Sequence, residues 1–549
     1  MILALRRPLV FRALWTRHIT IHKGPKRDIN KAKSPSRTSL KLSSRFDKRK
    51  AKQAQKHKSK DQFKYGEFGG LKENKNENLT SNSNLIEKIK SFEELKLLPE
   101  VRTHIIDLIK KDSLSTDVSE ITPSPIQVVA IKRLSKNLMD NKLQVHAIAA
   151  ETGSGKTMAY AAPLFDYLKR QEMETPEFWE TIKDKAIVRS VILVPTIELI
   201  DQVHATLSSS NDDVFGLNVK KWNNDVSYQE LLEALKNRID ILITTPSKLL
   251  AIQKIRMISR PDLVLQRVNF AVFDEADTLL DRSWLEDTHR ALKAIPNVNH
   301  LILCSATIPN EFNKTLTKMF PNIVPLTTPR LHKLPKGLNF KIVNAAISPY
   351  KGSKIKALAQ TLYAIAHDGT DVGYEKRSIV FVNEKKDVEP VVNKLRDQYG
   401  HNVVGLTGSM DATARQTVIK PFISPPEPIT QSQSIKQENL RDQETLKLAE
   451  SNITIGDINS IVEPIRDGND ASPLRVLVTT DVMARGINFK GVRNVVLYDV
   501  PSTTIDLVHR SGRTARMRQT GRVFMIIDRK TKSWAKAIPS VLKNNKALT

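Results

Sequence analysis

Cysteine is almost missing from this chain of 549 residues: Cys304 stands alone. One cysteine cannot close an internal disulfide, so a disulfide-built secreted protein is excluded, as is a cysteine-based metal site. No run of about 18 uncharged apolar residues occurs, which rules out a membrane-spanning helix. No short-period repeat is visible either. Acids are absent from residues 1–27, and aromatics are absent from residues 423–472. What is present is ordinary for a soluble globular protein. Hydrophobic residues make up 40%, enough for real cores, and charged residues 26%, close to the usual ~25%. The length suggests about three domains, or two plus extensions.

The charge is uneven. Lys+Arg number 86 against 59 Asp+Glu, a net +27, and residues 1–60 alone hold 19 Lys/Arg and 2 Asp/Glu. A mildly basic body with a strongly basic leader points to nucleic acid, an anionic surface or a targeting signal. In residues 1–27, Arg6, Arg7, Arg12 and Arg17 are interleaved with Leu3, Leu5, Leu9, Val10, Phe11, Leu14 and Trp15. Acid-poor, Arg-rich and amphipathic describes a mitochondrial transit peptide, whereas Arg12 interrupts the apolar stretch a secretory signal needs. A basic start with no address is the plainer alternative. Residues 28–84 read as a disordered basic arm, too polar to fold alone. The arm is either drawn to phosphate by counterion release or a solvated linker; Lys48–Arg49–Lys50 would also suit a nuclear-localisation patch.

Patterned sequence begins near Phe92. His146–Ala150, Val191–Val194, Ile239–Thr244, Asn269–Phe273 and Leu301–Cys304 read as buried strands separated by amphipathic segments such as Tyr228–Asn237. After Thr328–Phe340, rich in turn residues, the alternation resumes with Ser378–Val382, Val403–Leu406, Val476–Thr479, Val495–Tyr498 and Arg522–Ile527. This pattern predicts an α/β protein of two parallel-sheet domains covered on both faces, at 85–330 and 341–549, joined by a linker at 331–340. Residues 423–472, with 4 basic and 9 acidic residues, read as a flexible surface insertion.

Ala149-Ala-Glu-Thr-Gly-Ser-Gly-Lys156-Thr157 follows the first strand and opens a helix. The pattern G-x-x-x-x-G-K-[ST] is incomplete, with Ala150 at its first position. Thr152, Gly153, Ser154 and Gly155 still form a small-residue loop whose amides can cradle phosphate. Lys156 reaches the β/γ oxygens and Thr157 offers a hydroxyl to Mg²⁺. In Val272-Phe-Asp274-Glu275-Ala-Asp277 an apolar strand ends in three acids. Asp274 there suits Mg²⁺, and Glu275 suits an attacking water. A helix N-terminus favouring acids is the bland alternative, and Asp277 partly fits it.

These residues resemble the DEAD-box family of ATP-dependent RNA helicases over roughly 92–530. Asp274-Glu275-Ala276-Asp277 spells the name motif. Ser305-Ala306-Thr307 matches the motif that couples hydrolysis to RNA separation. Thr480-Asp481-Val-Met-Ala-Arg485-Gly486 and His509-Arg510-Ser-Gly-Arg513-Thr-Ala-Arg516 match the fifth and sixth motifs. The resemblance implies two tandem RecA-like domains with a cleft between them, binding ATP and Mg²⁺. It implies that Arg513 and Arg516, three apart on a helical face, act as arginine fingers in cis. It implies adenine recognition by Gln127, with Phe92 as the stacking aromatic, and a ribose contact from Asn488. RNA contacts follow at Thr196, Thr245, Lys248, Gly408, Arg415 and Thr480, and none of these reads base edges.

Several positions depart from the family. Ile197 replaces an Arg and Lys248 replaces an Arg, losing the planar fork. Lys221-Trp-Asn-Asn-Asp225 lacks the paired glycines, Ala412 stands for a Gln, and Asn488 for an Asp. The hydrolytic core is intact while the RNA grip is edited. The expected function is therefore a mitochondrial RNA-dependent ATPase, monomeric and in the matrix, that remodels RNA or ribonucleoprotein. Within the family the leader is similar to fungal mitochondrial RNA helicases, one of which serves large mitochondrial ribosomal subunit assembly. Ribosomal RNA or a pre-ribosomal particle is then the first substrate and intron RNA the second. An ATP-gated RNA clamp or scaffold is the competing reading, and a DNA translocase a third.

Overall fold

The computed structural model describes residues 77–112, 121–208, 215–258, 260–281, 283–308, 310–328, 337–370, 373–428, 474–481, 487, 489–515, 520–531, 535–536 and 538. The transit-like leader, the arm up to residue 76, most of the acidic insertion, Asn488 and Arg516 lie outside them. Among the described residues no helix is long and apolar enough to cross a membrane.

The first sheet has seven strands: β1 (Gln144–Ala149), β2 (Val188–Leu193), β3 (Val219–Trp222), β4 (Ile239–Thr244), β5 (Phe270–Phe273), β6 (His300–Ser305) and β7 (Val324–Thr327). Their order is β3-β4-β2-β5-β6-β1-β7, and each adjacent pair runs parallel. The second has six: β8 (Leu338–Asn344), β9 (Lys376–Phe381), β10 (Asn402–Leu406), β11 (Leu474–Thr479), β12 (Val492–Leu497) and β13 (Gly521–Ile527). Their order is β10-β11-β9-β12-β13-β8, again parallel throughout. Central strands such as β2, β4, β5 and β9 are buried along their whole length. Strands buried on both faces have no polar side to show, which explains their continuous apolar runs.

Three strands escape the sequence pattern, and all three are sheet edges. β3 carries Lys220 and Lys221, β7 contains Pro325, and β8 is only half-buried. An edge strand has a wet side and tolerates Lys and Pro there, so its apolar run is diluted. β8 also begins inside the expected 331–340 linker and shortens it.

The expected disordered arm to residue 84 is corrected in the same way. α1 (Glu77–Lys88) is helical. Asn82 donates from Nδ2 to the Thr327 carbonyl at 3.3 Å and accepts from Arg133 Nη2 at 3.1 Å. Leu85 and Ile86 pack on the first core. Tertiary docking, not composition, stabilises this polar helix.

Where the acidic insertion leaves and re-enters the second sheet, Arg377 is 1% exposed. Its guanidinium donates to the carbonyls of Ser424, Pro425 and Lys490. The amide of Glu375 donates to the Glu427 carbonyl at 2.9 Å, and Arg475 pairs with Glu375. Both ends of the insertion are thereby tied to the first residues of β9.

His146 and His401 are buried, and burial lowers both to about 4. The unfolded chain takes up a proton at each near pH 6.5, while the fold refuses it until about 4. Stability is therefore retained above pH 6.5 and lost progressively as the pH falls toward 4. Denaturant unfolding at pH 7 and pH 5 should differ by on the order of 1–3 kcal/mol, and His401→Gln should flatten that slope.

Candidate nucleotide and RNA site

β1 runs straight into the turn Ala150–Gly155, and α2 (Lys156–Glu174) starts from it. Gly155 caps the helix at φ 85°, a left-handed conformation that side chains resist. A Cβ there would lie 2.6 Å from Gln127 Nε2. Gln127 sits in the first turn of a preceding helix, Pro125–Leu134. Its side-chain oxygen accepts from the Ser124 amide at 2.8 Å and its Nε2 donates to the Gly155 carbonyl at 3.2 Å. The glutamine expected at adenine is thus also the strut that fixes the phosphate turn. Lys156 Nζ donates to the carbonyls of Ala150 and Glu151, both at 3.0 Å.

β5 delivers the acids. Asp274 is 7% exposed, and its Oδ1 accepts from the Glu275 amide at 2.9 Å. Its Oδ2 accepts from the Tyr160 hydroxyl at 2.9 Å. Burial, and then the charge of Glu275, raises its carboxyl to about 6. Glu275 is held at φ 49°, ψ 49°, an uncommon place for a non-glycine residue, and its Oε2 is buried without a hydrogen-bond partner. Local strain and an unsatisfied carboxylate in one residue are the marks of a reacting group. β6 ends in Ser305, whose hydroxyl donates to the Thr307 carbonyl at 2.7 Å. The Thr307 hydroxyl donates to Asp277 Oδ2 at 2.8 Å.

The second sheet meets this cluster through α3 (Thr504–Ser511) and the turn after it. His509 Nε2 lies 3.3 Å from the same Asp277 oxygen. Thr152 donates from its hydroxyl to the Gly512 carbonyl at 3.3 Å. Arg510 forks onto both oxygens of Asp481, at 2.7 and 2.6 Å, and also reaches Asn383. Arg513 is 2% exposed, donating to the carbonyls of His509 and Ile487. The Arg513 backbone therefore abuts the phosphate turn, while its guanidinium bonds to its own half.

Scans for similar proteins agree with this geometry. The model described as DEAD/DEAH box helicase matches residues 124–315, and the model described as helicase conserved C-terminal domain matches residues 428–518. A protein named ATP-dependent RNA helicase MRH4, mitochondrial, from Candida glabrata is 68% identical over 93% of this chain and 90% of its own length. The protein of the same name from Saccharomyces cerevisiae is 57% identical over 92% and 91%. The chain belongs to the DEAD/DEAH-box helicases. A solved structure of Mss116p bound to single-stranded RNA and AMP-PNP shares the fold. It has TM-score 0.57 and 19% identity, and the match covers 81% of this chain and 76% of that one.

The candidate RNA residues of this helicase gather at the carboxyl edges of both sheets. Thr196 and Thr245 cap the helices Ile197–Leu207 and Pro246–Ile252, accepting from the amides of Leu199 and Lys248. The Lys248 ammonium lies 5.3 Å from the centre of the Trp222 ring. Gly408 follows β10 and Thr480 follows β11. Arg415 Nη1 pairs with Glu198 at 3.2 Å, and Gln416 donates to Asp225 at 2.9 Å, both between halves. Where paired glycines are usual, Asn223 is fully buried. Its carbonyl oxygen accepts from the amides of Asp225 and Val226, and its Nδ2 donates to Asp201. A side-chain-built turn thus replaces a backbone-built one. Phe92 is 1% exposed and lies in the first core, so it is not presented to a base.

Two residues that sequence reasoning passed over are prominent here. Gly512 stood only as a spacer in the sixth motif, yet a Cβ on it would come within 1.9 Å of Thr152 Oγ1. Tyr160 stood in no motif, although its spacing from Thr157 puts both on one helical face. Gly512→Ala should hold the two halves apart at the phosphate turn. RNA-stimulated ATP turnover should fall about tenfold or more.

Proposed function

We propose that this chain is an ATP-dependent RNA helicase of the mitochondrial matrix, acting as a monomer. Its substrate is ribosomal RNA or a pre-ribosomal particle during assembly of the large mitochondrial ribosomal subunit. The observation that carries the reading is the meeting of Thr152 with Gly512. Through it the phosphate turn of one sheet and the arginine segment of the other share one site. The acid-free leader and the names of the two fungal relatives support the compartment.

The residues fit a magnesium–nucleotide complex. A lysine beside a glycine turn, a threonine hydroxyl and a buried strand-end carboxylate form the donor set that phosphate-bound Mg²⁺ takes. Thr157 and Asp274 would hold the ion, which supplies charge neutralisation at the β- and γ-phosphates. Lys156 leaves the two turn carbonyls for phosphate oxygens. Glu275, whose Oε2 has no hydrogen-bond partner among the described residues, accepts the proton of the attacking water. Arg513 and Arg516 stabilise charge on the transferring group from the second half. Asp277, shared by Thr307 and His509, links that event to the relative position of the halves. Thr196, Thr245, Lys248, Gly408, Arg415 and Thr480 hold the RNA backbone, and Gln127 with Asn488 holds the nucleoside.

Lys156→Ala or Glu275→Gln should lower RNA-stimulated ATP turnover by about 10²-fold or more. A folded Glu275→Gln protein that hydrolyses ATP normally would remove the assignment. Release of a labelled strand from a short duplex separates helicase action from clamping, since a clamp protects RNA and displaces nothing. Crosslinking in isolated mitochondria followed by sequencing of the RNA decides between ribosomal and intron substrates.

A further inference from the structure

Tyr160 lies one turn beyond Thr157 on α2 and is fully buried. Its hydroxyl donates to Asp274 Oδ2 at 2.9 Å. This bond ties the helix that follows the phosphate turn to the carboxylate at the end of β5. The other Asp274 oxygen is fixed by the Glu275 amide, so each oxygen of the carboxylate has one donor and the plane of the group is set. Burial pushes the phenol well above its usual range, which keeps it a donor at any working pH. Cys304, on the neighbouring strand β6, packs a buried thiol against the same carboxylate.

We infer that Tyr160 is a positioning residue for the magnesium of the nucleotide complex, fixing the Asp274 carboxylate through its hydroxyl. This rests on the reading of Asp274 and Thr157 as the magnesium-holding pair. The physical reason is general: a metal-holding carboxylate left free to rotate must be ordered when the ion arrives, and a donor behind it removes that cost. A buried tyrosine could also be only a satisfied core side chain, and the hydroxyl is what distinguishes the two roles. Phenylalanine fills the same volume and deletes the bridge.

The experiment compares wild type with Tyr160→Phe by binding of a fluorescent ADP, titrated with MgCl₂ and repeated in EDTA. The half-saturating Mg²⁺ concentration should rise about tenfold in the variant, the low end of what lost outer-shell partners do. Nucleotide affinity in EDTA and the thermal midpoint should stay as in wild type. An unchanged Mg²⁺ half-point would overturn the inference. So would a loss that is equal with and without Mg²⁺, because that marks a merely structural tyrosine. Asp274→Ala is the control for the underlying reading: if it leaves the Mg²⁺ dependence intact, the magnesium pair itself is misassigned and the inference falls with it.

Discussion

The turn from Ala150 to Lys156 is the constraint on which the rest of the chemistry depends. It is fixed from behind by Gln127, which grips the Gly155 carbonyl so closely that a methyl group on Gly155 would collide with the amide. It is met from the front by Gly512, where a methyl group would collide with Thr152. One bare α-carbon, that of Gly512, therefore sets how near the halves can come, while that of Gly155 sets how tightly the turn packs on Gln127. Lys156 extends from the end of the turn with its amine on the Ala150 carbonyl, and Glu275 has one buried carboxylate oxygen without a hydrogen-bond partner among the described residues. Parallel strands make this possible, because β1, β5 and β6 all release their chains at the same sheet edge.

Much of the architecture was legible in the sequence because central parallel strands are apolar on both faces. The runs at β2, β4 and β9 leave little room for another reading. Three of the four edges were not legible, β10 being the exception. β3, β7 and β8 mix polar or proline residues into short strands, and only the neighbouring strand makes them strands. α1 is the same lesson in helical form: a polar segment ordered by Asn82 reaching the Thr327 carbonyl. In the site, the phosphate turn and the strand-end acids could be read because their chemistry needs particular residue types at fixed spacing. Gly512 and Tyr160 could not, because what matters about them is distance across the fold. Phe92 misled for the reverse reason: an aromatic at a suggestive place was needed by the core.

The sheet edge that carries the candidate RNA residues is tied together by the protein itself. Asn223 ties its loop together with side-chain hydrogen bonds. Asp225 and Glu198 meet Gln416 and Arg415 of the second half. A polyanion entering this edge competes with a carboxylate already in place, because Arg415 is paired with Glu198.

The grip of Arg377 has a consequence for how this chain can vary. Arg377 of β9 holds the carbonyls of Ser424 and Pro425 where the chain departs, and Arg475, where it returns, pairs with Glu375 just before β9. Once the two ends are pinned together, the entropy of closing whatever lies between grows only with the logarithm of its length, about 0.6 kcal/mol for each doubling. Residues can be added or removed there while the sheet, and the nucleotide chemistry at its opposite edge, scarcely register the change.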